Sequence, residues 1–403
     1  MKNLSVYLFA SCICMAFAFV SCGNDNPVGE PVSVSEIMKY PYSSLTPEQQ
    51  KEKLANEANA FLTQIQDLNQ EKGIEVVKAF NNLLNMDAPV IGGNSLKSAD
   101  DIIKINYFYG KFTWQPSSKT WKEEKANQLE FNFPVGSSTG RIVITGVSSG
   151  KNYTYEEYYE YYDYETGQWI EETETIVFEL PKQLLAKLYL GGSEVGKIQV
   201  DADIVDAQSA PKSITVSYSL GSYNYTLKYV TETHKVTATL KKGNTVLINV
   251  AAVLDSNLNN LDESDIYISL GNFTFQLMDN LAFSGSVDFA NYNKEMDKLY
   301  DRCYPYPYPY NFDRDKAAED YAKGTADIIN KYYDIYLVSI KDKTKIAKLI
   351  EKAVLRTSYY YSYWEVVAVL KFNDSTEVEA EVFFSEGFDT VLNNFAKFIQ
   401  SFQ

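Results

Sequence analysis

Apolar and polar positions change their period three times along this chain. From Leu54 the large residues recur in steps of four and three (Leu54, Ala58, Phe61, Ile65, Leu68), the spacing of a helix with one buried face. Thr46-Pro47 ahead of it supplies an N-cap hydroxyl and a proline at the first helical position. Gly73 reads as a break, and Val76, Val77, Phe80, Leu83 and Leu84 carry a second stripe, so 43–88 is expected to be a helical hairpin or a kinked helix. From about 100 to 290 the period falls to two. Ile198, Val200, Ile214 and Val216 are expected on one buried face of a sheet, with Asp201, Asp203, Thr215 and Ser217 in water. Ser148-Ser149-Gly150, Gly191-Gly192 and Lys242-Gly243-Asn244 read as turns between adjacent strands. Residues 291–403 return to helix over 313–336, then give a hairpin from Trp364 to Phe384 turning at Asn373-Asp374-Ser375. A closing helix through Phe388, Leu392, Phe395 and Ile399 completes the pattern. The expected fold class is α+β, a long antiparallel meander forming a curved sheet or half-barrel, packed by N-terminal, middle and C-terminal helices.

The first residues carry a different message. Lys2 is followed by a largely apolar run to Val20 that ends in Ser21-Cys22-Gly23-Asn24-Asp25, so 1–21 reads as a cleaved export signal. Phe19-Val20-Ser21-Cys22 resembles a bacterial lipobox, in which the cysteine is acylated and becomes the new N-terminus. Cys12 has a similar small neighbour, but the apolar run continues straight through it, so Cys22 is the expected attachment site. Residues 22–42, with Pro27, Pro31 and Pro41 and few large aliphatics, read as a tether. Gly23 and Asn24 after the cysteine point to the outer membrane and leave its periplasmic or external face open.

This arrangement resembles the secreted lipoproteins of the Bacteroidota. The resemblance is carried by Cys22, by Tyr109-Gly110-Lys111-Phe112-Thr113-Trp114 with Phe131-Asn132-Phe133-Pro134, and by Leu180-Pro181 leading into a hairpin from Leu188 to Ile198. It implies an envelope address and a β-rich fold, and no activity.

Charge and composition narrow the chemistry. The 403 residues carry a net charge of −16, so a phosphate backbone would be repelled and nucleic acid is not an expected partner. There is one histidine, His234, in a polar turn sequence. Once the signal is removed and Cys22 acylated, Cys303 alone remains, which excludes an internal disulfide. No phosphate-binding glycine loop, nucleophile elbow or paired-cysteine motif is present, and the Asp255–Asn259 run lacks the carboxylate a calcium loop needs at its twelfth position. No metal, no cofactor and no catalytic residue is expected.

The most biased stretch is 153–165, seven tyrosines among five carboxylates. It reads either as a tyrosine-rich strand pair turning at Glu165-Thr166-Gly167 or as an aromatic, acidic ledge for a glycan. The strand pair is the simpler account. Tyr158, Tyr161 and Trp169 are the candidate ligand contacts of the second. Tyr304-Pro305-Tyr306-Pro307-Tyr308-Pro309-Tyr310 reads as a stiff connector. The expected function is a non-enzymatic, lipid-anchored envelope protein that binds or organises. The alternatives are a carrier holding an apolar ligand in a half-barrel groove and a glycan-binding or glycan-active surface lipoprotein. The oligomeric state is left open.

Overall fold

The computed structural model describes residues 31–87, 90–91, 94–95, 109–163, 166–207, 209–256, 268–278, 280–358 and 361–385. The signal, Cys22 and the expected closing helix lie outside them.

One sheet of 16 strands dominates. Its strands are β1 (Gly110–Gln115), β2 (Thr120–Glu124), β3 (Leu129–Val135), β4 (Ser138–Asp163), β5 (Gln168–Leu190), β6 (Ser193–Asp203), β7 (Ser213–Leu220) and β8 (Tyr223–Val230). They continue as β9 (Lys235–Lys242), β10 (Thr245–Ser256), β11 (Ile268–Leu277), β12 (Leu281–Val287), β13 (Tyr333–Ser339), β14 (Thr344–Thr357), β15 (Ser362–Lys371) and β16 (Glu377–Glu379). From β3 to β16 each strand pairs antiparallel with its neighbour in sequence, and the sheet stays open. The α+β meander is therefore the fold, with one departure: β1 runs parallel to β3, because β2 folds back outside it and forms the sheet edge. Both sheet edges are short strands rich in charge, which discourages pairing with another chain.

Two helices cross one face of this sheet. α1 (Val34–Ile37) precedes them on the other face. α2 (Pro47–Ile65) starts with a capping box, Thr46 and Gln49 each satisfying the other's backbone N–H. A 3₁₀ turn at Leu68–Gln70 separates it from α3 (Lys72–Leu84). Leu54 packs against Leu337, Leu370 and Phe383, then Phe61 and Ile65 against Tyr223, Ala238 and Leu247. Val76 and Phe80 pack against Phe112, Phe131, Phe133 and Leu188. The two helices thus run across the strands from one sheet edge to the other. Gly73 does not interrupt a helix: it opens α3, where an added Cβ would stand 3.1 Å from the Val195 carbonyl oxygen, so glycine permits the close approach of helix to sheet.

Several sequence expectations are corrected here. The segment expected as a tether is already docked from Val32: Ile37 and Tyr40 are buried against Ala282 and Val338, and Lys345 N donates to the Pro41 carbonyl at 2.8 Å. Ser148-Ser149-Gly150 is no turn but a bulge inside the 26-residue β4, opposite Pro181, whose missing N–H an unbroken ladder could not accommodate. The hairpin after Trp364 ends its second strand at Glu379. Ala380–Ser385 (α6) turns helical, which brings Phe383 against Phe372 at 5.5 Å. Sequence reading also passed over α4 (Phe289–Cys303), although Tyr292, Met296, Leu299 and Cys303 carry helical spacing, and it passed over β13 and β14. α4 pairs with α5 (Arg314–Tyr332) through Leu299, Cys303 and Ile328, and the Tyr-Pro repeat joins the two. Finally, Ser217 is buried alongside Val216, while Ile198, Val200, Ile214 and Asp201 are all half-buried. The wet face of β6 and β7 is roofed by its own polar ladder: Gln183 and Gln199 both donate to the Asp201 carboxylate, at 2.7 and 2.8 Å.

Candidate functional site

Three regions gather side chains that could do chemistry or bind. The first lies where α2 meets the β12 and β13 ends. Lys53 Nζ stands 3.3 Å from Ser339 Oγ, Ser339 donates to Asn280 Oδ1 at 2.8 Å, and Asn280 Nδ2 donates to Glu57 Oε1 at 2.6 Å. A lysine beside a serine is the pairing of a serine nucleophile with its base. Burial draws Lys53 below the usual lysine range, the direction a base needs. Against this, Asp342 forms an ion pair with Lys53, which holds the ammonium charged. Ser339 and Asn280 are buried, and the cavity beside them encloses about 10 Å³, room for a single water. Among the described residues that hydroxyl is covered rather than presented to a cleft. The cluster is a polar latch between α2 and the sheet.

The second region is the helix-bearing face, which a carrier would leave open. Along β3 to β15 it is filled by the side chains of α2, α3 and the strands themselves, and α5 packs over its β14 and β15 end. Trp114 is buried there and Trp121 half-buried, its indole Nε1 donating to the Asp87 carbonyl at 2.8 Å. Trp364 lies under Lys323, 5.0 Å from ring to nitrogen. These three are structural. Glu377 and Glu379, which alternate along the last strand, take Lys352 and Arg356 of β14 as ion-pair partners. His234 sits in the β8–β9 turn, 3.3 Å from the Tyr229 hydroxyl.

The third region is different in kind. β4 pairs with β3 only as far as Ile144, and β5 pairs with β6 only from Gln183 onward. Beyond the bulge, the ladder from Lys151↔Leu180 to Asp163↔Gln168 runs for 13 cross-strand pairs with no further strand on either edge among the described residues. At ~3.3 Å per residue it projects roughly 40 Å from the sheet. Gly167, with φ +69°, closes the turn, and the Thr166 hydroxyl donates to Asp163 Oδ2 at 2.7 Å. Alternation then divides the aromatic residues between two faces, since successive side chains point oppositely. One face holds Tyr158, Tyr162 and Trp169, the last two edge-to-face at 5.5 Å. Tyr161 is on the other face, where its hydroxyl donates to Glu172 Oε1 at 3.1 Å. The three residues expected to form a ledge therefore do not act together: Tyr158 and Trp169 share a face, and Tyr161 faces away from them. Trp169 is 66% and Tyr158 58% exposed on one face, and Tyr161 is 44% exposed on the other.

Between Tyr158 and Tyr162 on their shared face stands Glu160, and the register sets it directly opposite Glu171. Like charges directly opposite one another destabilise a ladder. From Lys151 to Leu180 the ribbon has nine carboxylates and a single base, Lys151 at its root, and neither Glu160 nor Glu171 has an ion-pair partner among the described residues. Residue counting found this segment; the register that opposes its glutamates requires knowing where the strands pair.

Among the described residues no helix is long and apolar enough to cross a membrane, and no group of His, Cys, Asp and Glu could hold a metal ion. The chain matches no known protein family, no curated protein and no solved structure.

Proposed function

We propose that this protein is a non-enzymatic envelope platform, acylated at Cys22, whose filled body holds out the β4–β5 ribbon as its docking element. One observation carries the reading. A two-stranded ribbon is marginal on its own, yet this one extends 13 pairs beyond its last neighbour among the described residues and exposes Tyr158 and Trp169. The body also exposes aromatic residues, Tyr306, Tyr310 and Tyr361 among them, but its edge strands are short and charged, so the ribbon is where another molecule meets backbone edges and ring faces together. The packing of α2 and α3 along the helix-bearing face favours this reading over a carrier, and the burial of Ser339 favours it over catalysis there.

The test places a photo-cross-linking residue in the chain within its native cells, by Tyr158→p-benzoylphenylalanine. A second variant carries the same residue at Val205, an exposed position on the body. A discrete adduct is expected from the ribbon position and not from the body. No adduct at 158, or the same adduct from both, overturns the proposal.

A further inference from the structure

We infer that the ribbon face bearing Tyr158, Glu160, Glu171 and Trp169 receives the cationic side chains of a lysine- or arginine-rich polypeptide segment laid along it. The inference rests on the ribbon being the docking element and identifies what docks. A second copy of this chain is the first alternative to weigh, because bare strand edges invite self-pairing. Charge argues against it: two ribbons side by side would bring together nine carboxylates from each, with only Lys151 at the root of each to offset them. A neutral partner would leave the Glu160–Glu171 opposition as it stands. A cationic segment relieves it.

The local geometry suits such a guest. Glu160 and Glu171 face each other across the ladder, and the Glu171 carboxylate lies within hydrogen-bond reach of the Tyr158 hydroxyl. Tyr158 stands two positions to one side of the pair, and Tyr162 with Trp169 two positions to the other. A guanidinium or ammonium over the two carboxylates thus lies between aromatic groups whose faces attract cations. Carboxylate and ring together distinguish this site from a merely acidic surface, which would hold counterions without orienting them. The free strand edges add backbone hydrogen bonds to an extended guest, whose alternate side chains then meet the same face at the ribbon's own period.

The experiment uses the full chain and a labelled peptide of alternating Lys and Thr, about ten residues long, read by fluorescence anisotropy at low salt and at about 0.3 M salt. The ribbon variant is Glu160→Gln with Glu171→Gln. A control, Glu48→Gln with Glu52→Gln on α2, removes equal charge from the exposed body. The ribbon variant is expected to weaken binding on the order of tenfold, and the control to leave it nearly unchanged. Tyr158→Ala with Trp169→Ala, at constant charge, is expected to weaken it about fivefold. Circular dichroism of each variant checks that the sheet persists. Equal weakening by ribbon variant and control means that net charge alone draws the peptide, and overturns the inference. Absence of binding at low salt does the same. Should the peptide fail while the residue at position 158 still cross-links, the ribbon remains a docking element for a partner that is not cationic. Protease digestion of the adduct then separates a protein from a glycan. If the cross-link fails as well, both proposals fall.

Discussion

Glu351 is the residue whose surroundings conflict most with its chemistry. It lies on β14 beneath α5, where Asn330 clasps its backbone, donating to the Glu351 carbonyl at 2.7 Å and accepting from its N–H at 2.8 Å. Burial pushes its carboxyl up to about 7, from an ordinary 4.5. Tyr292 of α4 and Tyr333 at the start of β13 feel its charge. A folded-state value above the unfolded one means that the stabilising contribution is complete below about pH 4.5. It is lost as pH rises toward 7 and stays lost above. Glu351→Gln should therefore match the parent at pH 5 and exceed it at pH 8 by about 2 kcal/mol, after allowance for partial exposure. Urea midpoints of both proteins at the two pH values give the comparison. A gap that does not change with pH would mean that Glu351 is ionised in the folded protein throughout.

At the scale of elements, the sheet was legible where one of its faces is wet. β6 and β7 alternate in sequence because their large side chains face the helix-bearing side and their polar ones the other. β13 did not declare itself, since the helix-bearing side buries Ile335 and Leu337 while the Ile37 strap buries Val338 on the reverse. A strand covered on both faces loses its period of two and reads like a continuation of the helix before it. The bulge between Leu337 and Val338 scrambles β14 in the same way. The ribbon was legible as composition, and its division into two faces was not, because that depends on a register set by pairing. The roofed outer face of β6 leads to a further expectation. Asp201→Ala forfeits two amide hydrogen bonds and should cost about 1 kcal/mol. Val200→Ala, half-buried on the opposite face, should cost about 1–2 kcal/mol. Thermal midpoints of the two variants are thus expected to fall by similar amounts. An unaffected Asp201→Ala would mean that the polar ladder contributes nothing.

For the molecule as a whole, the proposed reading makes position depend on Cys22 and reach on the ribbon. Cys22→Ala is expected to yield a protein that is either released from membranes or retained as the uncut precursor, read by fractionation and mass. A cleaved variant that still sediments with membranes would rule out acylation as the anchor. With the chain docked to its own sheet from Val32 onward, at most ten residues would separate an acylated Cys22 from the folded body. Even fully extended, such a spacer keeps the body within roughly 35 Å of the lipid surface. The ribbon, of comparable length, then governs how far from the membrane a partner is met.

The helical pair running from edge to edge also bears on how the chain reaches its final form. A meander in which neighbours in space are neighbours in sequence has low contact order and can assemble hairpin by hairpin as it emerges. Left to itself such an array would also fray strand by strand, in the manner of a repeat protein. Leu54, read out early, has to wait for Leu370 and Phe383, which are made more than three hundred residues later. Until they arrive, the Leu54 end of the stripe stays exposed, open to chaperones and to aggregation, although Phe61 and Ile65 can already pack on Tyr223 and Leu247. Once they arrive, the same contact ties the first helix to the last strands, so that neither end can open without disturbing the other.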